Sequence, residues 1–178
     1  MTEIFDALTP ENAPDHPVTE IPGDPATGIL VLCDHASNEI PPEYRDLGLP
    51  RAELERHIGY DIGAAAMTEA IAKTLGAPAL LTNFSRLLID PNRGEDDPTL
   101  VMRISDRALI PGNAQIDEAE VARRKRLYWQ PYRDAIRDMT QAMQKAGCVP
   151  ALISIHSFTP IWRGHPRKWQ AAVLWDCD

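Results

Sequence analysis

The sequence predicts an α/β fold built on a mostly parallel sheet, and three observations predict it. Short unbroken apolar runs, ILVLC at 29–33 and ALISI at 151–155, are of the kind buried on both faces of a parallel sheet. Long stretches with apolar residues at helical spacing, 51–75 and 117–147, stand between them. The chain has 178 residues, 44% of them hydrophobic, which is enough for one domain with a real core.

In chain order, residues 1–26 carry Pro10, Pro14, Pro17, Pro22 and Pro25 and read as an extended lead-in. Residues 28–33 form the first strand. Pro41-Pro42 and Gly48-Leu49-Pro50 punctuate a loop. Leu54, Ile58, Ile62, Ala65 and Ala66 recur near helical spacing, so 51–75 reads as one helix stopped by Gly76. ALLT at 79–82 and RLLID at 86–90 suggest one or two short strands. Residues 94–116 read as a long loop with turns at GEDDP and PGN, a length that in compact domains often serves function. Asp117, with Glu120 three residues on, has capping-box spacing and opens a long helix to Gly147. Pro131 should kink or divide it. Residues 151–155 and 171–175 (AAVLW) read as strands. The organisation is a lead-in, 1–26, and a single domain, 27–178.

A net charge of -8 and a pI of about 5.1 argue against a nucleic-acid or anionic-membrane partner. No stretch approaches the ~18 apolar residues of a membrane helix. The acidic, Pro-bearing start lacks the pattern of a secretory signal. Cys33, Cys148 and Cys177 are odd in number and without CxxC spacing, so the expected compartment is reducing and cytoplasmic, with Cys33 a small core residue.

In open α/β sheets ligands bind at the carboxyl ends of strands. Three apolar runs end in chemistry: Asp34-His35, Asp90-Pro91-Asn92-Arg93 and His156-Ser157. Two strand-end imidazoles suit zinc or a similar divalent ion, with a carboxylate or amide oxygen as third partner; each also fits an ordinary hydrogen-bonded loop. Arg86 and Arg93 flank LLID. They suit either ion pairs with the many acids or bidentate grip of an acidic substrate. His57 and Asp61, one helical turn apart, read as a surface pair or as a carboxylate orienting a metal-bound imidazole. The basic run 123–126 reads as a solvated helix face. WRGHPRKW at 162–169 is a cationic loop that could close over an anionic substrate. There is no GxGxxG, GxxxxGK[ST] or GxSxG, so nucleotide-cofactor and serine-hydrolase readings lack their usual support.

Five ordered motifs, DHASNEIP, HIGYDIGA, SRLLIDPNR, YWQPYRDAI and ISIHSFTP, closely resemble the N-formylglutamate amidohydrolase family in its DHASN-type subgroup. The likeness runs from about residue 28 to the C-terminus. It implies a three-layer α/β/α sandwich similar to zinc-dependent exopeptidases of the carboxypeptidase type (phosphorylase/hydrolase-like), with 27–178 as one amidohydrolase-like domain. In that pattern an HxxE pair and a later strand-end His bind zinc, and an Asn-Arg pair grips the substrate carboxylate. His35 fits the first ligand, His156 the later one, and Asn92 and Arg93 the clamp. The HxxE glutamate is replaced by Asn38. Either Asn38 ligates through its amide oxygen, or Asp61 or Glu39 substitutes.

Related chains continue past the VLWD-type strand into an acidic strand carrying a candidate general base, whereas this sequence stops at Asp178. On the resemblance, either the sequence is C-terminally truncated and lacks that strand and its base, or another acid, Asp61, Glu39 or Asp176, stands in for the base. The implied activity is metal-dependent hydrolysis of a linear amide, N-formyl-L-glutamate or a similar small acidic N-acyl amino acid, with zinc the foremost divalent ion. Asp61 and Glu39 are then the candidate catalytic acids, and Arg86 or Arg163 holds a second carboxylate. A metallo-amidase for another N-acyl amino acid or a small peptide stands beside it. So does a non-catalytic, degenerate binder of an acidic metabolite, which Asn38 and the short C-terminus favour.

Overall fold

The computed structural model describes residues 16–162 and 164–175. It builds the apolar runs into one four-stranded sheet in the order β1 (Val18–Ile21), β3 (Ala79–Thr82), β2 (Ile29–Cys33), β6 (Ala151–Ser154). Strand β2 runs parallel to β3, with Val31 opposite Ala79, and parallel to β6, with Leu32 opposite Ser154; β1 is antiparallel to β3. The sheet is thus mostly parallel, as expected. The lead-in contributes its antiparallel edge strand, and residues 1–15 lie outside the described residues.

Parallel neighbours require long crossovers, and helices supply them. Alternation along β2 sends Val31 and Cys33 toward α2 (Ala64–Leu75) and Leu30 and Leu32 toward Tyr132 and Met143 of α4 (Gln130–Lys145). One helix therefore covers each face of the sheet. A third apolar cluster is built from loops. Leu54, Ile58, Phe84, Leu87, Leu88, Ile89, Leu100 and Ile110 pack with Tyr128 and Trp129. Among the described residues no helix is long and apolar enough to cross a membrane.

Several elements differ from the sequence reading. The expected helix 51–75 is two, α1 (Arg51–Leu54) and α2, joined by turns. The break has a steric cause: a Cβ on Gly59 would stand 2.5 Å from the Leu54 carbonyl oxygen, and Gly63 has φ +83. RLLID is not a strand. Leu87, Leu88 and Ile89 are buried, but two of their carbonyls are taken by side chains: Asn113 Nδ2 donates to the Leu87 carbonyl (2.7 Å) and Arg124 Nη1 to that of Leu88 (3.0 Å).

The long loop holds a small hairpin, β4 (Ile104–Ser105) and β5 (Ala108–Leu109), whose two turn residues Asp106 and Arg107 have positive φ, as a type I′ turn requires. Asp117 accepts from the Glu120 amide at 2.9 Å and caps α3 (Glu118–Arg124), as its spacing suggests. Pro131 neither ends nor divides the helical run. A π-helical segment, Lys125–Trp129, joins α3 to α4, with the Gln130 amide bonded to the Lys125 carbonyl, and absorbs the missing proline donor. AAVLW is not a strand; Val173, Leu174 and Trp175 are exposed. The cationic stretch before it forms a short hairpin, β7 (Ile161–Trp162) and β8 (His165–Pro166).

Candidate metal centre and substrate cavity

Where β2 ends, Asp34 and His35 follow directly, and where β6 ends, His156 stands two residues beyond Ser154. Residues i and i+2 of an extended strand share a face, so Ser154 and His156 point the same way. The parallel β2–β6 pairing then brings the two histidines together, with ring centroids 5.1 Å apart. The turns between α1 and α2 deliver Asp61, whose amide donates to the His35 carbonyl at 2.9 Å.

The carboxylate of Asp61 lies between the two rings. Its Oδ2 is 2.9 Å from His156 Nδ1 and 3.5 Å from His35 Nδ1. Each ring turns its far nitrogen to a different buried acid. His35 Nε2 is 2.7 Å from Asp90 Oδ1, and His156 Nε2 is 3.2 Å from Asp34 Oδ2. Asp90 also accepts from Arg86 Nη2 (2.7 Å) and the Asn92 amide (3.0 Å). Asp34 accepts from the Tyr132 hydroxyl (2.8 Å) and Ser154 Oγ (2.7 Å).

The charges explain one another. Burial pushes the carboxyls of Asp34, Asp61 and Asp90 upward, but the hydrogen bonds they accept outweigh it and hold all three below the usual carboxylate range. For Asp61 those bonds come from His156 and His35. Burial alone would lower the imidazole of His35, yet Asp61 and Asp90 raise it. Asp34 and Asp61 raise His156 to about 9. In the absence of an ion, protonated rings neutralise acids that would be costly to bury alone.

Ligand atoms of His35, Asp61 and His156 lie within 4.8 Å of one another. Two imidazole nitrogens and one carboxylate oxygen form the donor set of open, catalytic zinc-type sites. The Nε2–carboxylate pairs are the arrangement that orients histidine ligands. These residues fit a divalent metal ion.

The other expected site residues separate into groups. Asn38 donates its Nδ2 to the Leu54 carbonyl at 3.1 Å, tying down the turn that carries Asp61. Glu39 is on the surface, where its ion pair is with Arg51 at 4.0 Å. His57 faces Asp106 at 3.5 Å rather than Asp61, because the chain between His57 and Asp61 is not helical. Arg86 is committed to the cluster, on Asp90 and 3.7 Å from Asp61 Oδ1. The side-chain Nδ2 of Asn92 is 3.5 Å from His156 Nε2, and Arg93 is half-exposed with Nε 3.8 Å from Asp90. Arg163 and Asp176 lie outside the described residues. Cys33 is buried against α2, and burial pushes its thiol up to about 11.

Sequence reasoning did not single out Tyr132 or Ser154. The only signal for Ser154 was its place two residues before a strand-end histidine. An open cavity of about 720 Å³ adjoins the cluster, lined by Asp34, Ser154, Asn92, Arg93, Arg133 and Arg137 among others. Arg133 lies over the Trp129 ring at 5.0 Å, and that indole donates to the Arg93 carbonyl at 3.1 Å.

The chain is similar in fold to two crystal structures. One, a gene product from Agrobacterium tumefaciens, is 33% identical with a TM-score of 0.79, over 85% of this chain and 60% of that one. The other, N-formylglutamate amidohydrolase from Ralstonia eutropha, is 25% identical with a TM-score of 0.66, over 80% of this chain and 58% of that one. The chain thus spans about three-fifths of each. A family model described as N-formylglutamate amidohydrolase matches residues 27–178. No curated protein matches.

Proposed function

The chain belongs to the N-formylglutamate amidohydrolase family, and from that premise we propose that it hydrolyses the linear amide of a small acidic N-acyl amino acid. N-formylglutamate is the leading substrate, and the metal is a divalent ion, zinc, held by His35, Asp61 and His156. The convergence of Asp61 on both Nδ1 atoms carries this reading. On the same reading Asp61 replaces the HxxE glutamate, and Asn38 is a structural residue. Helix α2, the sheet and α4 are the three layers of a zinc-exopeptidase-like sandwich, and 27–178 form one amidohydrolase-like unit.

Zinc in such a site supplies a Lewis acid and a water whose pKa falls from 15.7 to about 7. The protein's own residues do the rest. Asp90 and Asp34 keep the Nε2 protons of the two rings, leaving both Nδ1 atoms free to ligate. Asp61 Oδ1, which neither imidazole engages, is the proton acceptor closest to the cluster; Glu39 is too far out on the surface for that work. Asn92 and Arg93, at the cavity rim, hold the α-carboxylate. Arg133, carried on Trp129, takes the second carboxylate, since Arg86 is already spent on Asp90.

Elemental analysis and a formate-release assay test the reading, on wild type and His35→Ala in parallel. About one zinc per chain and formate from N-formylglutamate are expected in the wild type, and neither in the variant. Full metal retention by His35→Ala would sink the ligand assignment. The rival reading, a binder without turnover, draws on Asn38 standing where the family has an acid. Heat protection by glutamate with no formate release would favour it.

A further inference from the structure

We propose that Trp129 is a positioning residue for substrate: its indole N–H holds the turn that carries Asn92 and Arg93, and its ring face holds Arg133. The inference rests on the carboxylate-binding roles proposed above. It concerns the cavity rather than the metal cluster. One buried indole makes two separate guanidinium groups into a single receptor for a dicarboxylate.

The clamp residues do not fix themselves. Asn92, Arg93 and Arg133 are all exposed, and a long exposed side chain samples many rotamers. Backbone and stacking must place them. Asp90-Pro91-Asn92-Arg93 is a turn closed by the Arg93 amide, which donates to the Asp90 carbonyl at 3.1 Å. Pro91 stands at the second position, where its fixed φ favours such a turn. The start of the turn is anchored, since Asp90 is wholly buried and its amide donates to the Leu100 carbonyl at 2.8 Å. The end of the turn lies in neither helix nor strand. Its anchor is Trp129, whose Nε1 donates to the Arg93 carbonyl at 3.1 Å.

Trp129 can anchor because it is itself fixed. It is 6% exposed and packs into the loop-built core beside Tyr128. Arg133 is four residues further on, the spacing at which helical side chains meet. Its guanidinium lies 5.0 Å from the centre of the Trp129 ring. Among the described residues no carboxylate pairs with Arg133, whereas Arg137 is taken by Asp134 and Asp138. Arg133 is thus held by a ring face and keeps its charge for a ligand. Arg93 and Arg133 line the same cavity.

The two contacts can be removed separately. Trp129→Phe deletes the N–H and keeps an aromatic face; Trp129→Leu deletes both. Steady-state kinetics of the zinc-loaded protein on N-formylglutamate and on N-formylglutamine, which lacks the second carboxylate, read the difference. Trp129→Phe should raise KM for both substrates alike, about 5-fold, with kcat little changed. Trp129→Leu should raise KM for N-formylglutamate about 3-fold further and leave N-formylglutamine where Trp129→Phe put it. A merely structural tryptophan would weaken both substrates equally in both variants. That result, or an unchanged KM in Trp129→Phe, overturns the proposal.

Trp129 is buried and Trp129→Leu can fail to fold. Arg133→Gln, at an exposed position, then takes its place beside Trp129→Phe. It should erase the preference for the dicarboxylate without moving KM for N-formylglutamine. An equal loss for both substrates would overturn the link from ring face to second carboxylate. A wild type that hydrolyses neither substrate defeats the proposed function. Calorimetric dissociation constants for the same two ligands, on the same variants, then decide on Trp129, and a wild type that binds neither overturns its role.

Discussion

The ends of β2 and β6 are neighbours in register and both lead to a histidine, yet they are built by different forces. Residues 30–33 of β2 are 0–6% exposed, and His35 is 1% exposed. Every residue of β6 is exposed, Leu152 at 49%. The first imidazole is set in a packed frame, and the second meets Asp61 at 2.9 Å and Asp34 at 3.2 Å on a solvent-facing side. A centre made this way has one rigid half and one solvent-facing half held by contacts between an imidazole and two acids.

The sharpest break of that contrast is His35→Ala. It leaves Asp90 fully buried without its imidazole partner and takes the second of two imidazoles from Asp61, so it should lose the metal and about 3 kcal/mol or more of stability, read by chemical denaturation. His156→Ala should lose the metal equally but cost only about 1 kcal/mol in the apo protein, because that ring is partly solvated. Equal destabilisation by the two would erase the distinction.

Next comes pH. His156 is raised from 6.5 to about 9, so the native state holds its proton more tightly than the unfolded chain does. Its contribution to apo stability is present below pH 6.5 and is lost as pH rises through about 9. In melting curves taken in chelator, wild type and His156→Ala should converge above that pH. Curves that stay parallel would detach the ring from its acids. Arg93→Ala is milder still. It should raise KM about 10-fold with little change in kcat, since one charge-assisted contact to bound substrate is removed. Glu39→Gln should alter neither activity nor stability measurably; a loss of turnover there would move the catalytic acid to the surface.

Much of the rigid half was legible. ILVLC reads as a doubly buried strand, and the rule that ligands gather at strand ends points at His35 and His156. What hid the rest was long-range satisfaction of the backbone. LLI looks like a strand, but its carbonyls are taken by Asn113 and Arg124 from far along the chain. His57 and Asp61 were paired by an imagined helix that Gly59 and Gly63 break. That same break is what frees Asp61 to reach the imidazoles. AAVLW has a strand's composition, but among the described residues it has no strand beside it, and pairing needs a partner as much as propensity.

The π-helical segment before α4 acts as a phase setting. In an unbroken α-helix, Tyr128 and Tyr132 would lie one above the other on a single face. Here Tyr128 packs with the loops, and Tyr132 turns to the sheet and meets Asp34. Each residue of a helix turns by about 100°. Deleting one residue from the widened turn would therefore rotate α4 by roughly that angle and carry Tyr132 away from its acid. Every residue of the metal cluster would keep its place in the sequence, but the helix behind them would present the wrong side.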